Sequence, residues 1–116
     1  MKREWIEEAL IGTGWTFEDV EAGIKRGDFH LFENESGCLI GEFVVSPRST
    51  AFHVWVAGGD KNDGGLAAIQ ALVPVAEDFA RQHKCQIAGA TGRQGWVRFL
   101  GKFGYKASTP AVEKEL

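Results

Sequence analysis

Two side chains could exchange protons with a bound molecule, and both lie in segments that the sequence predicts to be β-strands. Glu42 occupies the middle of "GCLIGEFVVS", on the same alternating face as Cys38, Ile40 and Val44. A carboxylate among these apolar side chains requires an explanation. His53 lies in the adjacent predicted strand, "TAFHVWVAG". A general base must reach the proton that it removes, so these two are the candidate catalytic residues. The alternatives are a Glu42 that faces solvent or pairs with a cation, and a partly buried structural His53.

A glycine-rich loop, "GGDKNDGGLA", separates a predicted buried strand from the longest predicted helix. The N–H groups at a helix start lack intrahelical partners and the helix dipole adds positive charge, which together favour a phosphate or pyrophosphate. Lys61 could add a cationic side chain. Alternatively, Asp60, Asn62 or Asp63 caps the helix and the glycines only permit the turn. The candidate phosphate-binding backbone consists of Asp63, Gly64, Gly65, Leu66 and Ala67.

The stretch "TGRQGWVRFLGKFGYK", residues 91–106, combines aromatic and basic residues. Its aromatic side chains have helical spacing, which predicts a short core helix with a basic outer ridge. Arg93 is the exception, because it follows a predicted strand at the edge where a ligand would lie. Its guanidinium could bind a phosphate or a carboxylate, or it could clamp the glycine-rich loop by pairing with one of its acids, Asp60 in preference to Asp63. The sequence leaves these roles open.

The bulk composition predicts a single globular domain spanning residues 1–116. The chain has 44% hydrophobic and 25% charged residues and a formal net charge of −3, and that acidic balance argues against a nucleic-acid partner. No spacing of cysteines and histidines predicts a metal site, and Cys38 and Cys85 suit reduced, buried thiols. No signal peptide and no membrane-spanning apolar run is evident, so we expect a cytoplasmic protein.

The predicted elements are two short N-terminal helices, three antiparallel strands, a long helix, a strand, a helix and a final strand in "YKAS". Thr16 and Asp19 mark the start of the second helix and Gly27 its end. Pro74 lies inside the long helix and predicts a kink or a restart there. "VEKEL" is an edge strand or a loose tail. The pattern therefore predicts the α/β class: a mixed, mostly antiparallel sheet with helices on both faces and one parallel crossover.

This order of elements resembles the GCN5-related N-acetyltransferase (GNAT) family, an acyl-CoA N-acyltransferase fold. "NDGGLA" is similar to that family's Q/R-x-x-G-x-G/A loop, with Asn62, Gly65 and Ala67 in the matching places. The resemblance implies that the loop holds the pyrophosphate of acetyl-CoA. It also implies that the strand "HVWVA", which contains Val56, pairs its backbone with the pantetheine arm, and that the strands at 51–57 and 87–91 splay apart. The family's frequent general-acid tyrosine aligns with Leu100.

The stretches "VWVAGGD", "FARQHKC" and "GRQGWVRFLGKFGY" resemble a bacteriophage- and prophage-encoded branch of these proteins. Two functions stay open on that basis. The first is an acetyl-CoA-dependent N-acetyltransferase acting on a small-molecule or protein amine in the host cytoplasm, with Glu42 or His53 as base. The second is a non-catalytic virion or assembly protein that contacts other phage proteins and keeps only the scaffold. A groove blocked by Trp55 or Trp96 would favour the second, and an open cleft between the splayed strands the first.

Overall fold

The structure, a computed structural model, describes residues 2–62, 64–90, 100–101, 103–107 and 112–116. Leu100 and Gly101 are helical. Arg93, Trp96 and Asp63 lie outside the described residues, so the predictions made for them stay predictions. The helices are α1 (Arg3–Ala9), α2 (Phe17–Arg26) and α3 (Gly65–Gln82). The strands are β1 (His30–Glu33), β2 (Gly37–Ser46), β3 (Ser49–Gly59), β4 (Ile87–Ala90), β5 (Lys106–Ala107) and β6 (Val112–Glu115).

The six strands form one mixed sheet in the order β1-β2-β3-β4-β6-β5. The β3–β4 pair is parallel, and the other neighbours are antiparallel. The predicted class, the antiparallel meander and the single parallel crossover through α3 are therefore confirmed. The prediction for the C-terminal end is wrong, because "YKAS" is not the last strand and "VEKEL" is neither an edge nor a tail. β6 lies between β4 and β5.

An ion pair between β6 and a buried carboxylate of α3 stabilises β6 in the interior of the sheet. The Lys114 ammonium on β6 donates to both carboxylate oxygens of Glu77 on α3, at 3.1 and 3.3 Å. Glu77 is only 6% exposed, and burial together with the Glu77 charge raises the pKa of the neighbouring Tyr105. A buried charge is tolerated only when it is paired and hydrogen-bonded. Glu77 therefore stabilises β6 in the sheet interior, although the sequence of β6 is more polar than is usual for an interior strand.

The N-terminal helices pack on one face of the sheet and α3 on the other. The α2 start is a full capping box: the Asp19 amide donates to the Thr16 hydroxyl at 3.2 Å, and the Thr16 amide donates to the Asp19 carboxylate at 2.9 Å. The helix ends at Gly27 with φ 87°, as predicted. One core lies beneath α1 and α2 and contains Trp5, Ile6, Leu10, Phe17, Val20, Phe29, Cys38, Ile40 and Val56. A second lies beneath α3 and contains Leu39, Phe52, Leu72, Ala76, Ala80 and Cys85.

α3 is a single helix from Gly65 to Gln82 that includes Pro74. The predicted restart at Pro74 is therefore wrong. A proline removes one backbone donor, but Pro74 is exposed while its neighbours Leu72, Val73 and Ala76 are buried against the sheet. Packing of this apolar face holds the helix together across the missing hydrogen bond.

β3 and β4, the two strands that were predicted to splay apart, are paired at their amino ends. Ala51–Val54 pair in register with Ile87–Ala90. β3 then continues from Trp55 to Gly59 with no pairing to β4 among the described residues. Any opening between these strands begins after Val54.

His30 makes folding sensitive to pH. Its ring packs 5.1 Å from the rings of Phe43 and Phe79, and burial, with a smaller contribution from His83, lowers the pKa of His30. The unfolded chain therefore takes up a proton before the folded one as the pH falls below about 6.5. Stability is lost in that range.

We predict that the urea midpoint of unfolding falls between pH 7 and pH 5, and that His30→Phe reduces the fall. Phenylalanine keeps the aromatic packing and removes the proton. Urea titrations at both pH values measure this effect. An equal fall in His30→Phe would show that other groups cause the pH dependence.

Candidate functional site

The structure places Glu42 and His53 directly opposite each other on β2 and β3. Directly opposed residues of an antiparallel pair point to the same face with Cβ atoms about 4.5–5.5 Å apart. That face is the one covered by α1 and α2, because Cys38 and Ile40 alternate with Glu42 and lie in their core. The register follows from the turn, since Ser46 opposes Ser49. A two-residue turn at 47–48 places Ser46 opposite Ser49, and the same register places Glu42 opposite His53. The sequence alone could therefore have predicted this pair.

The Glu42–His53 pair lies at a margin of the fold that a ligand can approach. β1 pairs with β2 only as far as Gly41, so Glu42 lies just beyond the end of β1. Glu42 and His53 are both partly buried, and Val44, the next residue on this face of β2, is 47% exposed. The two side chains are thus partly shielded from solvent but still accessible to a ligand, as groups that exchange a proton with a substrate must be.

A β-bulge at Trp55 follows this pair along β3. Gly41 opposes Val54 and Ile40 opposes Val56, so Trp55 is the extra residue on β3. Its indole packs edge-on against Trp15 at 5.2 Å and Phe29 at 5.3 Å, and Trp15 and Phe29 lie 5.7 Å apart. We call Trp15, Phe29 and Trp55 the aromatic trio. The sequence did not predict it, because the bulge changes which face Trp55 occupies.

At its far end β3 leads to α3 through a turn whose described residues are 60–62 and 64. The Gly65 amide donates to the Asp60 carbonyl at 2.8 Å, and the Asn62 amide donates to the Asp60 carboxylate at 2.9 Å. The Asp60 amide in turn donates to the Ser36 carbonyl at 2.8 Å. Asp60 therefore shapes the turn and does not cap α3. Within the described part of the chain, no side chain caps the start of this helix.

This turn is closely packed on one side and open on the other. A Cβ at Gly65 would lie 2.5 Å from the Asp60 carbonyl oxygen, and one at Gly59 would lie 2.9 Å from the Gly65 Cα. Gly64 has φ 73°, with nothing within 4 Å of the position that its Cβ would occupy. The amides of Leu66 and Ala67 belong to the first helical turn, which has no intrahelical acceptors. The residues present therefore fit a phosphate group over Gly64.

The β1–β2 turn supports the start of α3, a role that the sequence did not reveal. The Asn34 carboxamide nitrogen donates to the Ala68 carbonyl at 3.0 Å, and its oxygen accepts from the amides of Ser36 and Gly37. A Cβ at Gly37 would lie 3.0 Å from the Ala68 Cβ. Asn34 looked only like a turn residue, because its partner is 34 positions away.

Lys61, the predicted cation of the turn, forms an ion pair with Glu8 of α1. Lys61 and Asn62 are both exposed. The Val56 side chain is fully buried beneath α1 and α2, so only its backbone is available to a ligand. The first-turn backbone is therefore the principal candidate for anion binding in the described turn.

On the α3 side, a small apolar cavity lies where the β3–β4 pairing ends. Its volume is about 20 Å³, which is room for about one water molecule. Leu100, in the place of the family's tyrosine acid, is buried in its wall. Tyr105 also lines the cavity and belongs to the core, where burial raises its pKa. Trp55 does not block this cavity, which is lined by Leu39, Val54, Val73, Ala76, Gly89, Ala90, Leu100 and Tyr105.

Other classes of site find little support in the described residues. Among them, no group of three or more His, Cys, Asp or Glu side chains could hold a metal ion. No helix within the described ranges is long and apolar enough to cross a bilayer. Cys38 and Cys85 are free and buried, as predicted, and burial raises the pKa of the Cys38 thiol to about 11. Neither cysteine is therefore an activated nucleophile.

Solved structures with the same architecture decide the fold. A chain of the NatC complex bound to Gag peptide and CoA superposes with a TM-score of 0.74, at 8% identity over 98% of this chain and 87% of that one. A GNAT-family acetyltransferase from Listeria monocytogenes gives a TM-score of 0.69, at 16% identity over 94% and 76%. The chain has the GNAT fold. The PaiA N-acetyltransferase from Thermoplasma acidophilum, solved with coenzyme A, gives 0.60, at 12% identity over 98% and 87%.

The sequence of the chain does not identify its family. No protein-family model matches the chain, and no curated protein matches it. At 8–16% identity the solved structures share the GNAT fold with this chain and little of its sequence. The activity of this chain therefore depends on residues that the shared fold does not specify.

Proposed function

We propose that this protein is an N-acetyltransferase that transfers the acetyl group of acetyl-CoA to an amine. The observation that carries the proposal is the arrangement along β3. The strand holds His53 opposite Glu42 near one end and runs into an open, uncapped helix start at the other. A long cosubstrate with phosphates at one end and a reactive thioester at the other requires two such sites, separated along an extended strand.

The phosphate end of the site consists of backbone. The amides of Leu66 and Ala67 and the open space over Gly64 receive the pyrophosphate, since the Gly65 amide is already donated to Asp60, and the positive end of the helix dipole adds to the attraction. Asn62 belongs to the same turn, and Asp63 remains a proposed contributor. Lys61 contributes if it exchanges Glu8 for a phosphate. Arg93 remains a proposed second cation. The NatC and PaiA structures contain CoA, which supports CoA as the ligand here.

The chemical end of the site consists of Glu42 and His53. When bound, acetyl-CoA supplies an acetyl thioester: the amine nitrogen bonds to its carbonyl carbon, the C–S bond breaks, and CoA leaves as the thiol. An amine is protonated at neutral pH, so it must lose a proton before it can attack. Glu42 accepts this proton, directly or through water. His53, opposite it, orients the carboxylate or takes the proton in its place.

Calorimetric titration with acetyl-CoA tests the proposed function first. We expect saturable heat with a 1:1 stoichiometry and a rise in melting temperature, since a ligand that binds only the folded state stabilises it. No heat and no melting shift at millimolar acetyl-CoA would leave the fold without this function.

We predict that Gly65→Ala weakens acetyl-CoA binding at least about tenfold, a loss of about 1.4 kcal/mol. The new Cβ would meet backbone atoms of Asp60 at 2.5 and 2.6 Å, so the turn has to move. Gly101→Ala is the matched control, because nothing lies within 4 Å of the position of its Cβ. Equal affinities for Gly65→Ala and the wild type would show that CoA does not bind at this turn.

A non-catalytic phage virion or assembly protein is the second candidate. The α3-side cavity favours only the loss of catalysis in this candidate, because about 20 Å³ is too small for a thioester unless the site opens. Acetyl-CoA binding without transfer to any amine would support this candidate. It would also direct the search to proteins that bind the scaffold.

A further inference from the structure

Lys61 is the one lysine or arginine in a long stretch of the sequence. No other occurs between Arg48 and Arg81, a stretch that contains β3, the turn and most of α3. The Lys61 ammonium is bound by the Glu8 carboxylate of α1. The cation that lies nearest in sequence to the proposed phosphate position is therefore already paired with an anion of the protein itself.

The turn keeps its shape without this ion pair. Its backbone is held by hydrogen bonds that the carbonyl and the carboxylate of Asp60 accept and by one that the Asp60 amide donates. The Lys61 side chain takes part in none of these bonds and is 70% exposed. The Lys61 ammonium can therefore leave Glu8 while the turn keeps its conformation.

Glu8, in contrast, is held beside the turn by the packing of α1. Trp5 and Ile6 of the same helix are buried, and a Cβ at Gly58 of β3 would lie 2.7 Å from the Trp5 carbonyl oxygen. α1 therefore lies directly on the strand that leads to the turn. The Glu8 backbone keeps its position near the turn whether or not the carboxylate is paired with Lys61.

A phosphate at the turn competes with Glu8 for the Lys61 ammonium. An exposed ion pair contributes little to stability, whereas charge-assisted hydrogen bonds to a phosphate are among the strong ones, so the phosphate displaces the carboxylate. A lysine has three N–H donors and could hold both anions at once, but the Glu8 carboxylate would then repel the phosphate. In either arrangement Glu8 lowers the affinity of the turn for a phosphate.

We propose that Glu8 is a built-in competitor of the CoA pyrophosphate, which binds Lys61 in the ligand-free protein and gives it up when the cosubstrate binds. Glu8 is thus a positioning residue, because it acts on the ligand through Lys61. The inference rests on the proposed binding of acetyl-CoA at this turn and adds that a residue of α1 reduces the affinity. It also couples CoA binding to α1, since the helix loses its ion pair with the turn when the ligand binds.

Calorimetric titration of CoA into Glu8→Gln tests the inference without catalysis. We expect the dissociation constant at low ionic strength to fall about three- to fivefold, the size of an exposed ion pair, and the difference to shrink below about twofold near 1 M salt, where screening is strong. Glu4→Gln is the matched control, because it removes the same charge one turn earlier on the same face of α1 and should change the dissociation constant by less than about twofold. A dissociation constant of Glu8→Gln equal to or higher than that of the wild type would overturn the inference.

The same substitution in a Lys61→Met background shows whether Glu8 acts through Lys61. Methionine keeps most of the length of the side chain and removes its charge, so Glu8→Gln should then lower the dissociation constant by less than about twofold. An equal gain in both backgrounds would mean that Glu8 acts only as a general negative charge, which contradicts the inference. Wild-type protein that binds CoA as tightly as Glu8→Gln refutes the inference alone, whereas no CoA binding by the wild type or any variant refutes the proposed function as well.

Discussion

Replacing Glu42 by glutamine should lower kcat/KM for acetyl transfer about 100- to 10,000-fold, the usual contribution of a positioned general base. Glutamine keeps the size of the side chain and can still donate or accept hydrogen bonds, but it cannot take a proton from the substrate amine. Because Glu42 lies at the margin of the sheet beyond the end of β1, the fold should tolerate the change. Steady-state assays of CoA thiol release measure the effect.

His53→Gln and the double variant show how the two residues divide the task. If Glu42 and His53 act as one unit, the double variant should lose little more activity than the worse single variant. Glu21→Gln is the matched control, because Glu21 lies on α2 outside the candidate site and should keep full activity. Activity of Glu42→Gln within twofold of the wild type would remove Glu42 from the mechanism.

The second large effect concerns folding. Lys114→Met should lower the free energy of unfolding by about 2–3 kcal/mol, since it leaves the Glu77 carboxylate buried without its ammonium partner. Arg81 lies 3.7 Å from Glu77 and compensates for part of the loss. A domain of this size should then melt roughly 10 °C lower. Thermal unfolding followed by circular dichroism gives the value.

Lys25→Met is the control for this substitution. It removes the same kind of charge from an exposed pair, in which the Lys25 ammonium lies 3.9 Å from Glu21, and such pairs contribute little to stability. We expect the two variants to differ by at least about 1.5 kcal/mol. Equal stabilities would mean that the Glu77 cluster does not hold β6 in the sheet.

The sequence predicted the elements whose causes are local. The Thr16–Asp19 capping box, the left-handed Gly27 and the apolar stripe of α3 act within a few residues, and the structure has them where expected. The position of β6 has a distant cause, because Lys114 reaches a glutamate 37 positions away. Charge alone made "VEKEL" look like a tail. The residues around Lys114 in the sequence do not indicate that it has a buried partner.

The candidate site could be predicted in part for the same reason. Strand alternation placed Glu42 on a core-facing side, and the turn length sets His53 opposite it. The bulge at Trp55 depends on how β2 and β3 pair around Gly41, where a Cβ would lie 2.6 Å from the Phe52 ring. The Lys61–Glu8 pair depends on how α1 packs on the sheet. The bulge and the ion pair both result from tertiary contacts, which the periodicity of the sequence does not predict.

Acetyl transfer itself is the measurement that tests the account most directly. The purified protein is incubated with acetyl-CoA and a panel of small-molecule and peptide amines, and the acetylated product is detected by mass spectrometry while the released CoA thiol is quantified. We predict equal amounts of N-acetylated amine and free thiol, both dependent on the amine and both nearly abolished in Glu42→Gln. A folded protein that binds acetyl-CoA and acetylates no amine of the panel would contradict the account.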